Sequence, residues 1–477
     1  MRKKITVLGG GPGGYVAAVR AAQMGAEVTL VEKDTLGGTC LNRGCIPSKI
    51  MQTTAGMLHR FQRCNEFGIQ LEGSPIVNMA ALMARKEKII STQVRGIENL
   101  LKHNHVTHIK GTGMLESPGF LEVVTTEGDA LKVAWDTLII STGSEPLEIP
   151  AFPFDGQKVI SSTDALNLDR VPGTMVIVGG GVIGCEFACM LAEMGTRVTL
   201  VEALDRLLPL PSVDAACSKV LQREMKKKKI KFLLNRTVTA VDTSGDLASV
   251  LIGPSPFAKD VKERDLQPLQ VEADKVLVCI GRKSNAHRIG LENIGLELDE
   301  KGWIEADNHL RTMVEDVFAI GDALGPAKVM LAHVASTEGI IAAENAMGGD
   351  RKMNYDAIPG AIFTSPEVAN AGLTENQARD QDLSFRADSV LFRTIGKAQV
   401  IGELAGEAKI VSDTESGKVL GVHIIGPHAT DLIAEGTLAI TTGRTVTELA
   451  ETIHAHPTLA EVTLEAAFKA VDRALHG

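Results

Sequence analysis

Aromatic residues are scarce in this chain: 4% of 477 residues, with two tryptophans and two tyrosines. A surface that stacks nucleobases needs such rings. Positive charge is also in deficit, 49 Lys and Arg against 59 Asp and Glu, for a net charge of −10. A chain acidic overall lacks the basic surface that tracks phosphates, so no nucleic acid partner is expected. The one basic run, Lys226 to Lys229, is expected to be a set of cations on the solvated face of a helix C-terminus. No apolar run approaches the ~20 residues that span a bilayer, so no membrane is expected. Met1-Arg2-Lys3-Lys4 leads straight into a strand-like run; neither a signal segment nor a transit peptide is expected, and the predicted location is cytoplasmic. The seven cysteines are odd in number and mostly isolated among apolar residues. That pattern suits buried thiols in a reducing compartment, with at most one special pair. No Cys, His or carboxylate spacing suits a metal, and none is expected.

Glycine, by contrast, is abundant, with 47 residues. Ile5-Thr6-Val7-Leu8 reads as a buried strand. It enters Gly9-Gly10-Gly11-Pro12-Gly13-Gly14, a small-residue helix and a second strand that ends on Glu32. Gly9, Gly11 and Gly14 satisfy G-x-G-x-x-G, with an acid about 20 residues further on. Glycines there let backbone N–H groups approach a pyrophosphate at a helix N-terminus, and Glu32 is placed for ribose hydroxyls. The unit recurs: Met175 to Val178 runs into Gly179-Gly180-Gly181-Val182-Ile183-Gly184, and a later strand ends on Glu202. Two dinucleotide folds imply two dinucleotides, a flavin and a nicotinamide, as an electron-transfer enzyme requires. A carboxylate at Glu202 accepts from a free 2′-OH and repels a 2′-phosphate, which favours NAD; only Arg206 lies close enough to argue otherwise.

Between the two glycine turns lies Gly37-Gly38-Thr39-Cys40-Leu41-Asn42-Arg43-Gly44-Cys45-Ile46-Pro47-Ser48-Lys49. The cysteine spacing does not fit a zinc site. Five residues of regular helix rise about 7.5 Å, too far for a relaxed disulfide, so a bridge needs a distorted turn, which Gly44 permits. Such a bridge is easily reduced and suits catalysis. Two unrelated buried thiols remain the competing reading.

These motifs together resemble the pyridine-nucleotide disulfide oxidoreductases, and the resemblance covers essentially the whole chain. It implies an α/β fold: two Rossmann-like dinucleotide-binding domains plus a C-terminal α+β interface domain. The expected boundaries are 1–150 and 276–346 for FAD, 151–275 for NAD and 347–477 for dimerisation. It implies Cys40 and Cys45 as the redox disulfide, Cys40 being the more exposed sulfur that exchanges with substrate and Cys45 the one beside the flavin. Thr142, Gly143 and Ser144 match a turn where the flavin domain breaks off, and Asp322 matches the contact to the ribityl chain. The backbone at Ala332 matches a contact to the flavin ring, and Gly113 one to the adenine. Lys49 matches a position near the flavin, with Glu186 able to pair with it. Val238 and Gly281 match nicotinamide-side contacts. In Ile453-His454-Ala455-His456-Pro457-Thr458-Leu459-Ala460-Glu461 the resemblance implies a base, His456, oriented by Glu461 and serving a partner subunit's disulfide. Thr458-x-x-Glu461 also reads as a capping box, a structural explanation of the same acid.

Within the family, branches with a C-terminal cysteine pair are disfavoured because the last cysteine is Cys279. NADP-dependent glutathione reductases are disfavoured by Glu202-Ala203-Leu204-Asp205. His-Ala-His-Pro-Thr-Leu and Phe363-Thr364-Ser365-Pro366-Glu367 resemble the branch that oxidises dihydrolipoyl groups. The resemblance thus implies FAD and NAD as cofactors and a homodimer. It also implies a lipoyl-bearing acyltransferase or glycine-cleavage carrier protein as partner. Arg43 departs from the pattern and is a candidate for altering substrate choice or flavin potential. Lys283-Ser284-Asn285, Asn370-Ala371-Gly372 and a polar loop over Pro254 to Gln270 also depart from it. A non-enzymatic flavoprotein subunit and a transhydrogenase or quinone reductase are the alternatives from other classes.

Overall fold

The computed structural model describes residues 2–258 and 267–476. The chain divides into two compact units, each assembled from separate segments: Met1–Met51, Asn78–Leu147 and Gly281–Tyr355, then Gln52–Val77, Glu148–Ile280 and Asp356–Gly477.

The first unit is built on a seven-stranded sheet. Its order is Val317–Ala319, Thr137–Ile140, Lys4–Leu8, Glu27–Glu32, Thr107–Ser117, Phe120–Thr125 and Ala130–Ala134. The first five pair in parallel and the last three form an antiparallel meander. The sequence tracks this difference. Thr137–Ile140 is buried along its whole length, as a parallel strand covered on both faces must be. Phe120–Thr125 alternates exposed and buried residues, the mark of a sheet with one wet face. The helices Pro12–Gln23 and Ala332–Ala346 pack closely on each other. Gly339 allows it, because a Cβ there would lie 2.4 Å from the Gly13 carbonyl oxygen. Thus the first glycine turn and the segment that follows Asp322 are held in one body.

The second unit contains a five-stranded parallel sheet: Lys231–Leu233, Arg197–Val201, Thr174–Val178, Lys275–Val278 and Val159–Ile160. A three-stranded antiparallel sheet, Arg236–Asp242, Ala248–Pro254 and Leu269–Ala273, shares a core of Val176, Val201, Val250 and Ile252 with it. The polar loop expected over Pro254 to Gln270 joins two strands of that sheet, and residues 259–266 lie outside the described residues. The C-terminal part is a five-stranded antiparallel sheet in the order Gly360–Ile362, Glu367–Gly372, Val419–Gly426, Glu407–Asp413 and Phe385–Leu391. Helices Ala429–Thr441 and Glu461–Ala470 bury Ile433, Val462 and Ala466 against it. This is the two-fold dinucleotide architecture with a C-terminal α+β domain.

The basic run departs from expectation. Lys226 and Lys227 do sit in the last turn of helix Ala215–Lys227. Lys228, however, turns inward to pair with the buried Glu193 and donates to Ser365 Oγ at 2.6 Å. A carboxylate buried that deeply needs a cation, so burial recruits Lys228 from the solvated face.

Candidate functional site

The two glycine turns are near-copies. Gly9 and Gly179 have φ of +105° and +104°, a region open to glycine, and Cβ atoms there would strike the Ser141 and Cys279 carbonyls. Cβ atoms on Gly14 and Gly184 would lie 1.8 and 1.9 Å from the carbonyl oxygens of Gly9 and Gly179. Protein packing therefore accounts for these four glycines. It does not account for Gly11, whose nearest neighbour would be 4.0 Å away, or Gly181, which has none within 4 Å. Both are N-caps of twelve-residue helices with no side-chain cap and no acid in the first turn. Their first-turn N–H groups face open space in front of a glycine, which is what a pyrophosphate needs. Both turns fit a dinucleotide.

The two acids are held alike. Glu32 Oε2 accepts from Gly10 N–H at 2.6 Å and Oε1 from Asp34 N–H at 2.8 Å. Glu202 accepts from Gly180 and Leu204 N–H at the same two distances. Each oxygen retains a lone pair for a ribose hydroxyl. Arg206, the one guanidinium suspected of favouring a 2′-phosphate, is committed to the Val213 and Leu210 carbonyls and Ser218 Oγ.

In the first unit the redox candidates sit on two helices, Gly38–Arg43 and Cys45–Gln62, broken at Gly44. A Cβ on Gly44 would lie 2.9 Å from the Thr39 carbonyl oxygen, so glycine lets the two turns fold back closely enough for the sulfurs to meet. The Cys40 thiol is hydrogen-bonded to Cys45. That bond, then burial, then negative charge on Cys45 push it far above its ordinary value, opposed by a backbone hydrogen bond at Cys45 and then by Lys49. One expectation is reversed: Cys45, not Cys40, is the more exposed residue. Cys40 lies inside its short helix within electrostatic reach of Tyr15, whereas Cys45 is the first residue beyond the break. Arg43 pairs with Asp34; the cation acting on Cys40 is Lys49.

The flavin-turn residues gather in the same unit. Thr142 Oγ1 is buried without a hydrogen-bond partner, so a polar group of a ligand fits there. Ser144 Oγ donates to Asp322 Oδ2 at 2.6 Å, leaving the other carboxylate oxygen for a ribityl hydroxyl. Gly143, with φ +67°, accepts from Asn285 N–H. Gly113 follows the point where pairing with Glu27–Glu32 ends at Lys110, which frees one edge of its backbone. Ala332 opens a helix whose N-cap, Leu331, makes no side-chain cap. Gly281, expected on the nicotinamide side, belongs to this unit, where its carbonyl accepts from Leu147 N–H.

In the second unit His456 Nδ1 is 2.8 Å from Glu461 Oε1, and Thr458 N–H donates to Oε2 at 2.9 Å. Glu461 thus contacts both the histidine and the Thr458 backbone, and the reciprocal capping bond is replaced by Thr458 Oγ1 donating to Ala455. Burial would raise the Glu461 carboxyl; the bonds from His456 and Thr458, with the neighbouring imidazoles, bring it below its ordinary value. His454 is fastened by Glu435 and the Thr452 carbonyl, and no metal-type cluster occurs among the described residues. Val238 has its side chain in the core, so only its main chain is available to a ligand. Glu186 accepts from Phe363 N–H.

Residues 3–339 match the family described as pyridine nucleotide-disulphide oxidoreductase, and residues 358–467 match its dimerisation domain. The chain belongs to this family. Similar family members include the dihydrolipoyl dehydrogenases of Chlamydia trachomatis, 40% identical with 98% of this chain and 97% of that protein covered, and Bacillus subtilis, 38% identical with 99% of both covered. The crystal structure of LpdA from Mycobacterium tuberculosis superposes with TM-score 0.88 at 27% identity, covering 98% of this chain and 99% of that one. As a pyridine nucleotide-disulphide oxidoreductase this chain is an FAD-dependent enzyme that works with NAD. Among the described residues no helix is long and apolar enough to cross a membrane. Tyr15 and Arg282, which no motif marks, and Asn285, marked only as a departure from the family pattern, lie among the same residues: Tyr15 near Cys40, Asn285 on the Thr142 carbonyl and Arg282 on Ser144.

Proposed function

We propose that this chain oxidises protein-bound dihydrolipoyl groups to lipoyl and reduces NAD+ to NADH. Its expected setting is a cytoplasmic homodimer serving a lipoyl-bearing acyltransferase or a glycine-cleavage carrier protein. Residues 1–150 and 276–346 form the flavin domain, 151–275 the nicotinamide domain and 347–477 the interface domain. The observation that carries this reading is the Cys40–Cys45 pair brought together at the Gly44 break, in a chain 40% identical over nearly its whole length to a dihydrolipoyl dehydrogenase.

In the reaction a substrate thiolate attacks the Cys40 sulfur of the Cys40–Cys45 disulfide, a role that rests on family resemblance and not on exposure, since Cys45 is the more exposed residue. A substrate–Cys40 bond forms and Cys45 leaves as a thiolate. The second substrate thiol then attacks the substrate sulfur of that mixed disulfide, closing the lipoyl ring and releasing Cys40. A Nδ1–H donated to Glu461 leaves His456 Nε2 as the base that accepts the thiol proton. Bound FAD supplies a two-electron path from the cysteine pair to NAD+. Two electrons and two protons leave the dithiol; NADH takes the electrons with one proton and the other goes to solvent. By family resemblance His456 serves the partner's cysteine pair.

The test is to assay lipoamide, glutathione disulfide and mercuric ion as acceptors with NADH and NADPH. Turnover is expected with lipoamide and NADH. Preference for glutathione disulfide, or equal efficiency with NADPH, contradicts the proposal. Undiminished quinone reduction by Cys45→Ser together with absent lipoamide turnover by the native protein would favour the quinone-reductase reading.

A further inference from the structure

Ser144–Pro146 ends where the chain leaves the first unit, and Arg282–Ser284 begins just after it returns. The two strands pair antiparallel, Arg282 opposite Pro146 and Ser284 opposite Ser144. Arg282 then grips Ser144 with two prongs: Nε donates to Oγ at 2.6 Å and Nη2 to the carbonyl oxygen at 2.7 Å. Ser144 passes its own hydroxyl proton toward Asp322 Oδ2, and Arg282 Nε lies 3.6 Å from that same oxygen. The guanidinium is largely enclosed, with 15% of its side chain exposed, and Ser144 is buried. An enclosed cation needs counter-charge. Burial disfavours the charged form of Arg282, and the negative charges that oppose this are Asp322, Cys45 and Glu145.

We propose that Arg282 is a positioning residue of the flavin site: through Ser144 it fixes the Asp322 carboxylate for the ribityl chain. The inference rests on the reading above, in which Asp322 faces the ribityl chain. An arginine fits the task because its planar fork spans the side-chain and main-chain oxygens of one serine while remaining charged. A lysine supplies the charge without the fork.

The experiment uses the FAD-loaded protein and reads the rate of FAD release in Arg282→Met, Arg282→Lys, Ser144→Ala and the variant that combines Arg282→Met with Ser144→Ala. Release should accelerate at least roughly tenfold in Arg282→Met, about 1.4 kcal/mol, and also in Arg282→Lys, which keeps the charge without the fork. Ser144→Ala should accelerate it too, and the combined variant should add little to either single change, because both act through one chain of contacts. Native release in Arg282→Met, or effects that multiply in the combined variant, overturns the proposal. If Arg282→Met retains too little FAD to be read, Arg282→Lys and Ser144→Ala decide: faster release in both supports it, and native release in either overturns it. Native release in Asp322→Asn refutes the flavin role of Asp322, and the role of Arg282 falls with it.

Discussion

Glu461 divides its two oxygens between a catalytic candidate and the backbone, one toward His456 and one toward Thr458. Removing the imidazole should therefore cost more than removing its anchor. His456→Gln is expected to slow the lipoyl half-reaction by about 10²- to 10⁴-fold while leaving reduction of the protein by NADH near native. Glu461→Gln should slow the same half-reaction less. Stopped-flow measurement of the two half-reactions checks both; equal loss in both half-reactions contradicts the assignment. His454 gives a separate pH test. Its hydrogen bond to Glu435 raises its pKa although burial opposes it. A raised folded value stabilises the protonated form, so the contribution is complete below the unfolded value of about 6.5. It is lost as pH rises through the folded value. The stability difference between native protein and His454→Gln should thus be largest near pH 5–6 and shrink toward alkaline pH. A difference that grows with pH would show the pair to be unimportant.

At the scale of elements, the strand–turn–helix units separate glycines required by folding from glycines required by a ligand. A Cβ on Gly184 would sit 1.9 Å from the Gly179 carbonyl oxygen, whereas one on Gly181 meets nothing within 4 Å. Gly184→Ala should therefore lower stability by at least ~2 kcal/mol. Gly181→Ala should leave stability within ~0.5 kcal/mol yet raise the NAD KM about tenfold or more, seen by thermal unfolding and steady-state kinetics side by side. Equal effects from the two variants would remove the basis for the cradle. Both units were legible in the sequence because parallel strands buried on both faces read as unbroken apolar runs around an obligatory glycine pattern. Cys40, Cys45, His456 and Glu461 stand out as candidates in the sequence because each sits at a fixed spacing from a glycine, cysteine or proline. Arg282 does not: its importance comes from the pairing of Ser144–Pro146 with Arg282–Ser284, a contact across more than a hundred residues that no local spacing encodes. The inward turn of Lys228 was hidden for the same reason, since Glu193 and Ser365 are its neighbours only in three dimensions. Relative exposure of the two sulfurs depends on the break at Gly44 and was also beyond local pattern.

For the whole molecule, the C-terminal region matches a dimerisation domain, and the His456 side chain is 76% exposed in the single chain. Ile453, just upstream, is 97% exposed, more than an isolated surface would favour for so apolar a side chain next to a catalytic candidate. If the base of one subunit serves the disulfide of the other, inactive variants should complement each other. A dimer of one His456→Gln and one Cys45→Ser chain has one intact site and one doubly defective site. Such mixed dimers should show about half the native dihydrolipoamide activity per dimer, although each parent is inactive; no recovery on mixing would place both groups in one subunit.

The most direct test concerns the two sulfurs. Dihydrolipoamide oxidation should be lost in both Cys40→Ser and Cys45→Ser, with FAD retained in each. The FAD-loaded Cys40→Ser protein should show the long-wavelength absorbance of a thiolate against the flavin before any reductant is added, and Cys45→Ser should lack it. Retained lipoamide turnover in both variants, or the absorbance appearing in Cys45→Ser instead, would contradict the account.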